Sequence, residues 1–393
     1  MKKDVIIIGA GASGLMCAIE AAKRKKNVLV IDHANKVGKK ILMSGGGRCN
    51  FTNYYVAFDR FYACNPHFYK SALSRYTQWD FITLVEKYQL AYHEKTLGQL
   101  FCDHKSKEIV DILLAECKTY GVEIKLNTKV EKVVKEAEGG FFLKTSQADY
   151  YTTSLVIATG GLSIPSMGAS GFGYQIAKQF GLKVTATRAG LVPFVLSNQD
   201  KERFQHLSGI SAQAIVSCNW VSFQENILFT HRGISGPAIL QISSFWMPGD
   251  TIEIKLLPDI CLDEILIEKR NAGITCKLKT YLEQFLAKRL IAVLIDENLL
   301  DMQIAALSDK QIQHIKAKLQ HWQLKPCTTE GYRTAEVTIG GVDCNEISSK
   351  TFCAHKVPGL YFIGEVLDVH GWLGGYNFQW AWSSGFAAGQ VVE

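Results

Sequence analysis

The sequence predicts an α/β chain in which a parallel-sheet domain is split by an insertion of different texture. Three observations carry this. Short, continuously apolar runs at 5–8, 28–31, 155–157 and 360–363 have the composition of strands buried on both faces. The first, third and fourth of these run directly, or within one residue, into glycine-bearing turns. Between residues 190 and 333 the pattern changes to shorter strands separated by turn signals and then to helical periodicity.

The first element is Val5-Ile6-Ile7-Ile8, followed at once by Gly9-Ala10-Gly11-Ala12-Ser13-Gly14. From Leu15 to Lys26 the pattern is helical, with Leu15, Ala18, Ile19 and Ala22 on one face. Val28-Leu29-Val30-Ile31 is the next strand and ends at Asp32. Strand, Gly-x-Gly-x-x-Gly, helix, strand and acid form the Rossmann-like dinucleotide-binding fingerprint. Gly9 permits the tight turn, Gly11 lets backbone approach a pyrophosphate, and Gly14 lets helix and strand pack closely. The helix N-terminus, with Ala12 and Ser13 in its first turn, offers free N–H groups and a positive dipole end to phosphate. Asp32, with His33 beside it, is placed to accept hydrogen bonds from a ribose. The motif alone leaves FAD and NAD both open.

Two later segments bear on that choice. Leu155-Val156-Ile157 leads into Ala158-Thr159-Gly160-Gly161, and Leu360-Tyr361-Phe362-Ile363 leads into Gly364-Glu365-Val366-Leu367-Asp368. With the first motif, these resemble the three-part signature of FAD proteins with a glutathione-reductase-type binding domain. The resemblance implies FAD, with Gly364, Glu365 and Asp368 near the ribityl chain and pyrophosphate. No second Gly-x-Gly-x-x-Gly follows a buried strand, so no separate NAD(P)H domain is expected. Val130 is a candidate adenine contact, with a plain core position as the competing reading.

The most distinctive stretches are Gly38-Lys39-Lys40-Ile41-Leu42-Met43-Ser44-Gly45-Gly46-Gly47-Arg48-Cys49-Asn50 and the segment from Gly364 through His370, Trp372, Gly374, Gly375, Tyr376, Asn377 and Phe378 to Gly385. Phe229-Thr230-His231-Arg232-Gly233-Ile234-Ser235-Gly236-Pro237 and Ala335-Glu336-Val337-Thr338-Ile339-Gly340-Gly341-Val342 are further motifs. Together they resemble the bacterial BaiN-like flavoprotein family, which includes aminoacetone oxidase, over nearly the whole chain. What the resemblance implies is an FAD-dependent oxidoreductase with an inserted domain and no fixed substrate.

Read physically, Ser44, Gly45 and Gly46 present backbone N–H groups that no side chain shields, suited to a flavin ring or an anion. Lys40 and Arg48 are candidate partners for pyrophosphate or a substrate carboxylate, and Asn50 closes the same loop. Gly375 opens a helix whose N-terminus, with Tyr376, Asn377 and Phe378, is expected to face the flavin pyrimidine edge and stabilise negative charge there.

The binding domain is expected at 1–189 and 334–393, with the insertion at 190–333 covering the flavin. Within the insertion, strands are expected at 192–196, 213–218, 220–230 and 251–257, forming a small β-barrel or sheet. A helical hairpin is expected over 262–324, with Leu282, Phe285, Leu286, Leu290 and Val293 on one face of its first helix. His231, Arg232 and His370 are the candidate catalytic residues: a histidine of near-neutral pKa to move a proton, an arginine to fix a carboxylate. A purely structural role is the competing reading for each. Cys49 is either redox-active or a buried inert thiol.

The expected reaction is hydride transfer between a small organic substrate and FAD, with O2 or NAD(P)H as the other redox partner. The alternative is a flavin-binding redox sensor or assembly factor without metabolite turnover. Apolar residues make up 47% of the chain and charged residues 20%, which excludes a disordered polymer. Lys and Arg exceed Asp and Glu by 43 to 37, an excess too small and too scattered to imply a nucleic-acid partner. Salt-dependent tRNA binding would revive the reading of a nucleic-acid-modifying flavoprotein. Eleven scattered cysteines without a Cys-x-x-Cys fit a reducing cytoplasm and no metal site. No apolar run approaches the ~20 residues of a membrane span, so no membrane association is expected. Lys2-Lys3 and the following apolar run imitate a signal peptide, but Asp4 and Glu20 interrupt it.

Overall fold

A computed structural model describes residues 1–393. The chain forms two compact units, Met1–Arg188 with Val337–Glu393, and Ala189–Glu336.

The first unit is built on seven strands: β1 (Lys2–Ile8), β2 (Val28–Ile31), β3 (Glu123–Lys125), β4 (Val130–Lys135), β5 (Phe141–Thr145), β6 (Asp149–Ile157) and β7 (Leu360–Phe362). Their order is β3-β2-β1-β6-β5-β4, with β7 also on β6. The pairs β3–β2, β2–β1, β1–β6 and β6–β7 are parallel, whereas β6–β5 and β5–β4 are antiparallel. Strand β6 belongs to both halves, and its sequence shows the change. Its start alternates exposed and buried where it pairs with β5, and its end, Ser154 to Ile157, is buried throughout where it lies between β1 and β7. A meander with one solvated face needs period two, and a sheet covered on both faces needs none.

Helices α1 (Ala12–Lys23), α2 (Lys39–Gly47) and α3 (Tyr376–Gly389) complete the part that matters for function. Helix α1 begins at Ala12, three residues before the periodic pattern, because Gly11 already stands in the cap position. It ends at Lys23, and Lys25 takes a left-handed φ of 65°. Helix α3 lies against α1 through its glycines: a Cβ on Gly385 would stand 2.4 Å from the Ser13 carbonyl oxygen. Trp380 and Trp382 of α3 are fully buried, and Trp382 stacks on Phe81 with ring centroids 4.4 Å apart. This Rossmann-like sheet is the one the sequence predicts.

The second unit holds a seven-stranded antiparallel sheet in the order Trp322–Leu324, Ile252–Leu256, Ser211–Cys218, Val221–Phe229, Gly233–Ser235, Phe194–Val195, Thr328–Thr329. The expected two-helix hairpin is a correction. The stretch forms five short helices: Leu262–Asn271, Leu278–Leu282, Lys288–Leu294, Glu297–Leu300 and Asp309–Gln320. The periodic run through Leu282 and Leu290 is broken at Ala287, whose ψ of 132° is extended, and Phe285 turns outward. The last helix forms as expected behind a capping box of Ser308 and Gln311. It packs on Leu262–Asn271, where Lys316 donates to Asp263 at 2.7 Å. No helix of either unit is long and apolar enough to cross a membrane.

Candidate functional site

Four turns converge at the C-terminal ends of β1, β2, β6 and β7, where ligands of open α/β sheets bind. After β1, three glycines do different work. A Cβ on Gly9, whose φ is +117°, would lie 2.3 Å from the Ala158 carbonyl oxygen, and one on Gly14 would lie 2.0 Å from that of Gly9. Those two glycines are required by packing. A Cβ on Gly11 would meet nothing within 4 Å. Gly11 therefore guards open space at the N-terminus of α1, where no side chain caps the free N–H groups, with Ala12 and Ser13 beginning the first turn.

Asp32 follows β2. Its two carboxylate oxygens accept hydrogen bonds from the Ala10 and Ala34 N–H groups, each at 2.8 Å. The carboxylate is thereby locked against the glycine loop, with lone pairs to spare for hydroxyl donors. His33 is exposed, its Nδ1 3.6 Å from Asp32.

A further loop, besides these turns, is the unwound end of α2. Ser44 has an extended ψ of 151°, and Gly45, Gly46 and Gly47 follow with φ of +58°, +65° and +86°. Three consecutive left-handed residues are open to glycine alone at little cost. A Cβ on Gly46 or Gly47 would point into open space. Arg48 is exposed at the end of this loop. With its amide nitrogen donating to the Thr52 and Leu100 carbonyls, Asn50 accepts a hydrogen bond from the Gly375 N–H at 3.2 Å. Cys49 is buried and burial pushes its thiol up, which makes it the inert thiol of the two readings.

The third and fourth turns are Ala158-Thr159-Gly160 after β6 and Gly364-Glu365 after β7. Thr159 Oγ1 is buried with no hydrogen-bond partner. Gly364 has a φ of +73°, and a Cβ there would stand 2.5 Å from Ser13 Oγ. Glu365 turns inward. One oxygen accepts from the Thr338 N–H at 2.9 Å and from Ser163 Oγ at 3.0 Å, the other from Lys40 Nζ at 2.7 Å. Burial alone would raise this carboxyl, but the charge and hydrogen bond of Lys40 hold it below the usual carboxylate range. Lys40 also donates to Ser163 Oγ at 2.5 Å. The expectation that Lys40 meets phosphate or a substrate carboxylate is thus corrected: its charge is committed to Glu365. Ser163 and Thr338, which complete this network, escaped the sequence reading although Thr338 lies in one of its motifs.

At α3, Gly374 and Gly375 have φ of +109° and +96°, and a Cβ on Gly375 would lie 2.3 Å from the Thr52 carbonyl oxygen. Tyr376 is buried and Phe378 stacks on Trp382. Asn377 is a second correction. Its oxygen accepts from the Gly371 N–H at 2.8 Å and its nitrogen donates to the Gly371 and Trp372 carbonyls at 3.1 Å, so its amide positions the loop. Asp368 is buried two residues before His370, and Val130 is part of the main core at the start of β4.

His370 pairs in register with Tyr62, and their rings stack at 5.6 Å. Burial, and then the nearby charge of Arg188, push its pKa down to about 3. The near-neutral proton carrier expected from sequence is corrected to a neutral ring, one whose buried Nδ1 has no hydrogen-bond partner. His231 and Arg232 lie in the second unit, in the turn between two of its sheet strands. His231 is exposed, and Arg232 is already paired with Glu330 at 3.4 Å.

A Rossmann-like sheet with glycine turns at the carboxyl ends of β1, β6 and β7 defines a flavoprotein of the FAD-dependent oxidoreductase class. The chain belongs to the HI0933-like family, whose Rossmann-domain model matches residues 3–391. It is 54% identical to the ribosomal RNA dihydrouridine synthase of Escherichia coli (strain K12), over 98% of this chain and 97% of that one. It is 28% identical to the 3-dehydro-bile acid delta(4,6)-reductase of Clostridium scindens, over 98% of each chain. Among solved structures, the 3-ketosteroid-delta4-(5alpha)-dehydrogenase from Rhodococcus jostii RHA1 shares the fold, with a TM-score of 0.51 and 13% identity, over 99% of this chain and 97% of that one.

Proposed function

We propose that this chain is an FAD-dependent reductase that saturates the C5=C6 bond of a uridine in ribosomal RNA, with NAD(P)H as the electron source. The observation that carries the reading is the 54% identity, end to end, with a protein named for that reaction. The more distant relative is named for reducing a different C=C bond. The BaiN-like character of the motifs then reflects shared cofactor and shared C=C chemistry rather than a shared substrate. This reading replaces the sequence-based expectations of a small organic substrate and of no nucleic-acid partner. A cytoplasmic location follows from the same substrate.

The residues fit the cofactor. Gly11 and the uncapped start of α1 leave room and N–H donors for a pyrophosphate, and Asp32 is fixed to receive ribose hydroxyls. Gly46 and Gly47 leave an open backbone surface for a flat ring, and the orphaned Thr159 Oγ1 lies on the same edge of the sheet. When bound, FAD supplies the hydride that a carbonyl-conjugated double bond accepts. The balanced reaction consumes one NAD(P)H and one proton per uridine, the hydride going to C6 and the proton to C5. Negative charge develops on the uracil C4 oxygen along the way. The backbone N–H groups of Gly45 to Gly47, the Arg48 guanidinium and the N-terminus of α3 are the groups here suited to oppose it. His370, neutral at physiological pH, serves as a hydrogen-bonding and stacking group, so the proton for C5 comes from another donor.

The test is to incubate the FAD-loaded protein and NADPH or NADH with ribosomal RNA from a strain lacking the homologous gene. Nucleoside mass spectrometry is expected to show dihydrouridine, two hydrogens heavier than uridine, appearing with time. RNA that stays free of dihydrouridine while the flavin is reduced by the nicotinamide would sink the proposal.

A further inference from the structure

We propose that the face carrying Tyr55, Phe58 and Trp79 is a stacking platform for unpaired nucleobases, which holds the RNA beside the glycine turns. The inference rests on the ribosomal-RNA reading above and names the surface that reading requires.

The chain has twelve exposed large apolar side chains, and five of them (Met43, Tyr55, Phe58, Trp79 and Leu97) come from residues 43–97 of the first unit. Aromatic rings are costly to leave in water, and three exposed rings, Tyr55, Phe58 and Trp79, from one short stretch of chain need a reason. Trp79 is 55% exposed yet held in place, stacked on Tyr54 at 5.6 Å. Gln78 beside it donates to the Tyr54 carbonyl at 3.0 Å. Between Gln78 and Phe58 lies an open cleft of about 390 Å³, floored by Val56, Leu73 and Thr77. Tyr55 is 62% exposed, and its backbone is tied to the α3 turn: the Tyr376 hydroxyl donates to its carbonyl at 3.5 Å, and Asn53 donates to the Gly374 carbonyl at 2.9 Å. The platform is therefore continuous with the loop on which Asn50 receives the Gly375 N–H.

Charge selects the partner. Residues 33–58 carry Lys36, Lys39 and Arg48 besides the paired Lys40, while exposed Asp59 and Asp80 stand next to Phe58 and Trp79. Lys70 Nζ stands 6.0 Å over the Phe58 ring. The second unit holds 15 Lys and Arg against 16 Asp and Glu, so the whole +6 excess resides in the unit that bears this face. Exposed rings interleaved with cations are what single-stranded RNA requires: faces for the bases and charge for the phosphates. An aliphatic protein partner would not call for the cations.

The experiment measures RNA binding and dihydrouridine formation for the wild type, Trp79→Ala, Tyr55→Ala and Trp79→Phe, using the full FAD-loaded chain and a ribosomal RNA fragment found to be modified. Each alanine variant is expected to bind about tenfold more weakly, as loss of one base–ring stack implies, and to raise KM with kcat little changed. Trp79→Phe is expected to retain most of the affinity. Flavin content, melting temperature and reduction by the nicotinamide are expected to match the wild type, because both rings are exposed. A wild type active on RNA whose alanine variants bind and react equally well would overturn the platform and leave the function standing. A wild type that neither binds nor reduces RNA would overturn both. A dimer that Trp79→Ala dissociates without loss of RNA affinity would reassign the face to a second copy.

Discussion

Gly11→Val is expected to give a folded, colourless protein. Of the three glycines after β1, Gly11 is the one whose added Cβ meets no neighbouring atom within 4 Å, so the valine is expected to cost the fold little. The same side chain would stand where a pyrophosphate must approach the α1 N-terminus. FAD affinity is expected to fall by about 100-fold or more, equivalent to roughly 3 kcal/mol. Melting of the apoprotein is expected to stay near that of the flavin-stripped wild type. Gly14→Ala behaves differently: its Cβ would stand 2.0 Å from the Gly9 carbonyl oxygen, so it is expected to destabilise the fold itself. The comparison separates a glycine kept for packing from one kept for a ligand. A yellow Gly11→Val protein with normal flavin content would remove the cradle from that position.

Lys40→Met is expected to destabilise the chain by about 2–3 kcal/mol at pH 7. That is less than the roughly 3–5 kcal/mol for breaking a fully buried pair, because Lys40 remains partly exposed. Without the ammonium, Glu365 keeps its Ser163 and Thr338 donors but loses the charge that holds its pKa down. The pH dependence has a definite sign. A carboxyl with a lowered folded pKa stabilises the fold above its ordinary value near 4.5 and loses that contribution as pH falls through the folded value. The gap between wild type and Lys40→Met in urea unfolding is therefore expected to narrow from pH 7 to pH 4. His370 adds a background common to both: with a folded pKa of about 3 against 6.5 unfolded, it destabilises progressively as pH falls below 6.5. Adding Glu365→Gln to Lys40→Met is expected to recover part of the loss. Equal stability of wild type and Lys40→Met at pH 7 would show that the pair does not hold the β7 turn.

What the sequence disclosed was local. β1, the glycine turn, α1, β2 and Asp32 occupy the first 32 residues, and each depends on its neighbours in the chain. The unwound end of α2 was equally legible, because consecutive glycines are the one composition that tolerates three left-handed residues in a row. What escaped depends on distant partners. Lys40 looked like a free cation because Glu365 lies 325 residues away. Asn377 looked like a ligand contact because nothing local showed that Gly371 and Trp372 would fold back onto its amide. His370 looked titratable because its burial comes from pairing with Phe61–Ala63, far earlier in the chain. The charge asymmetry between the two units escaped for an arithmetic reason: averaging over 393 residues mixes a positive unit with one close to neutral. The insertion's helices were misjudged because apolar spacing does not reveal an extended residue such as Ala287 in mid-run.

The most direct test of the central claim is the visible spectrum of the purified, FAD-reconstituted chain, followed by acid release and identification of the flavin. One non-covalently bound FAD per chain is the expected result, in keeping with a site whose nearby Cys49 is buried. A protein that stays colourless after reconstitution, or that takes up flavin equally well when Gly11 is valine, would contradict the account.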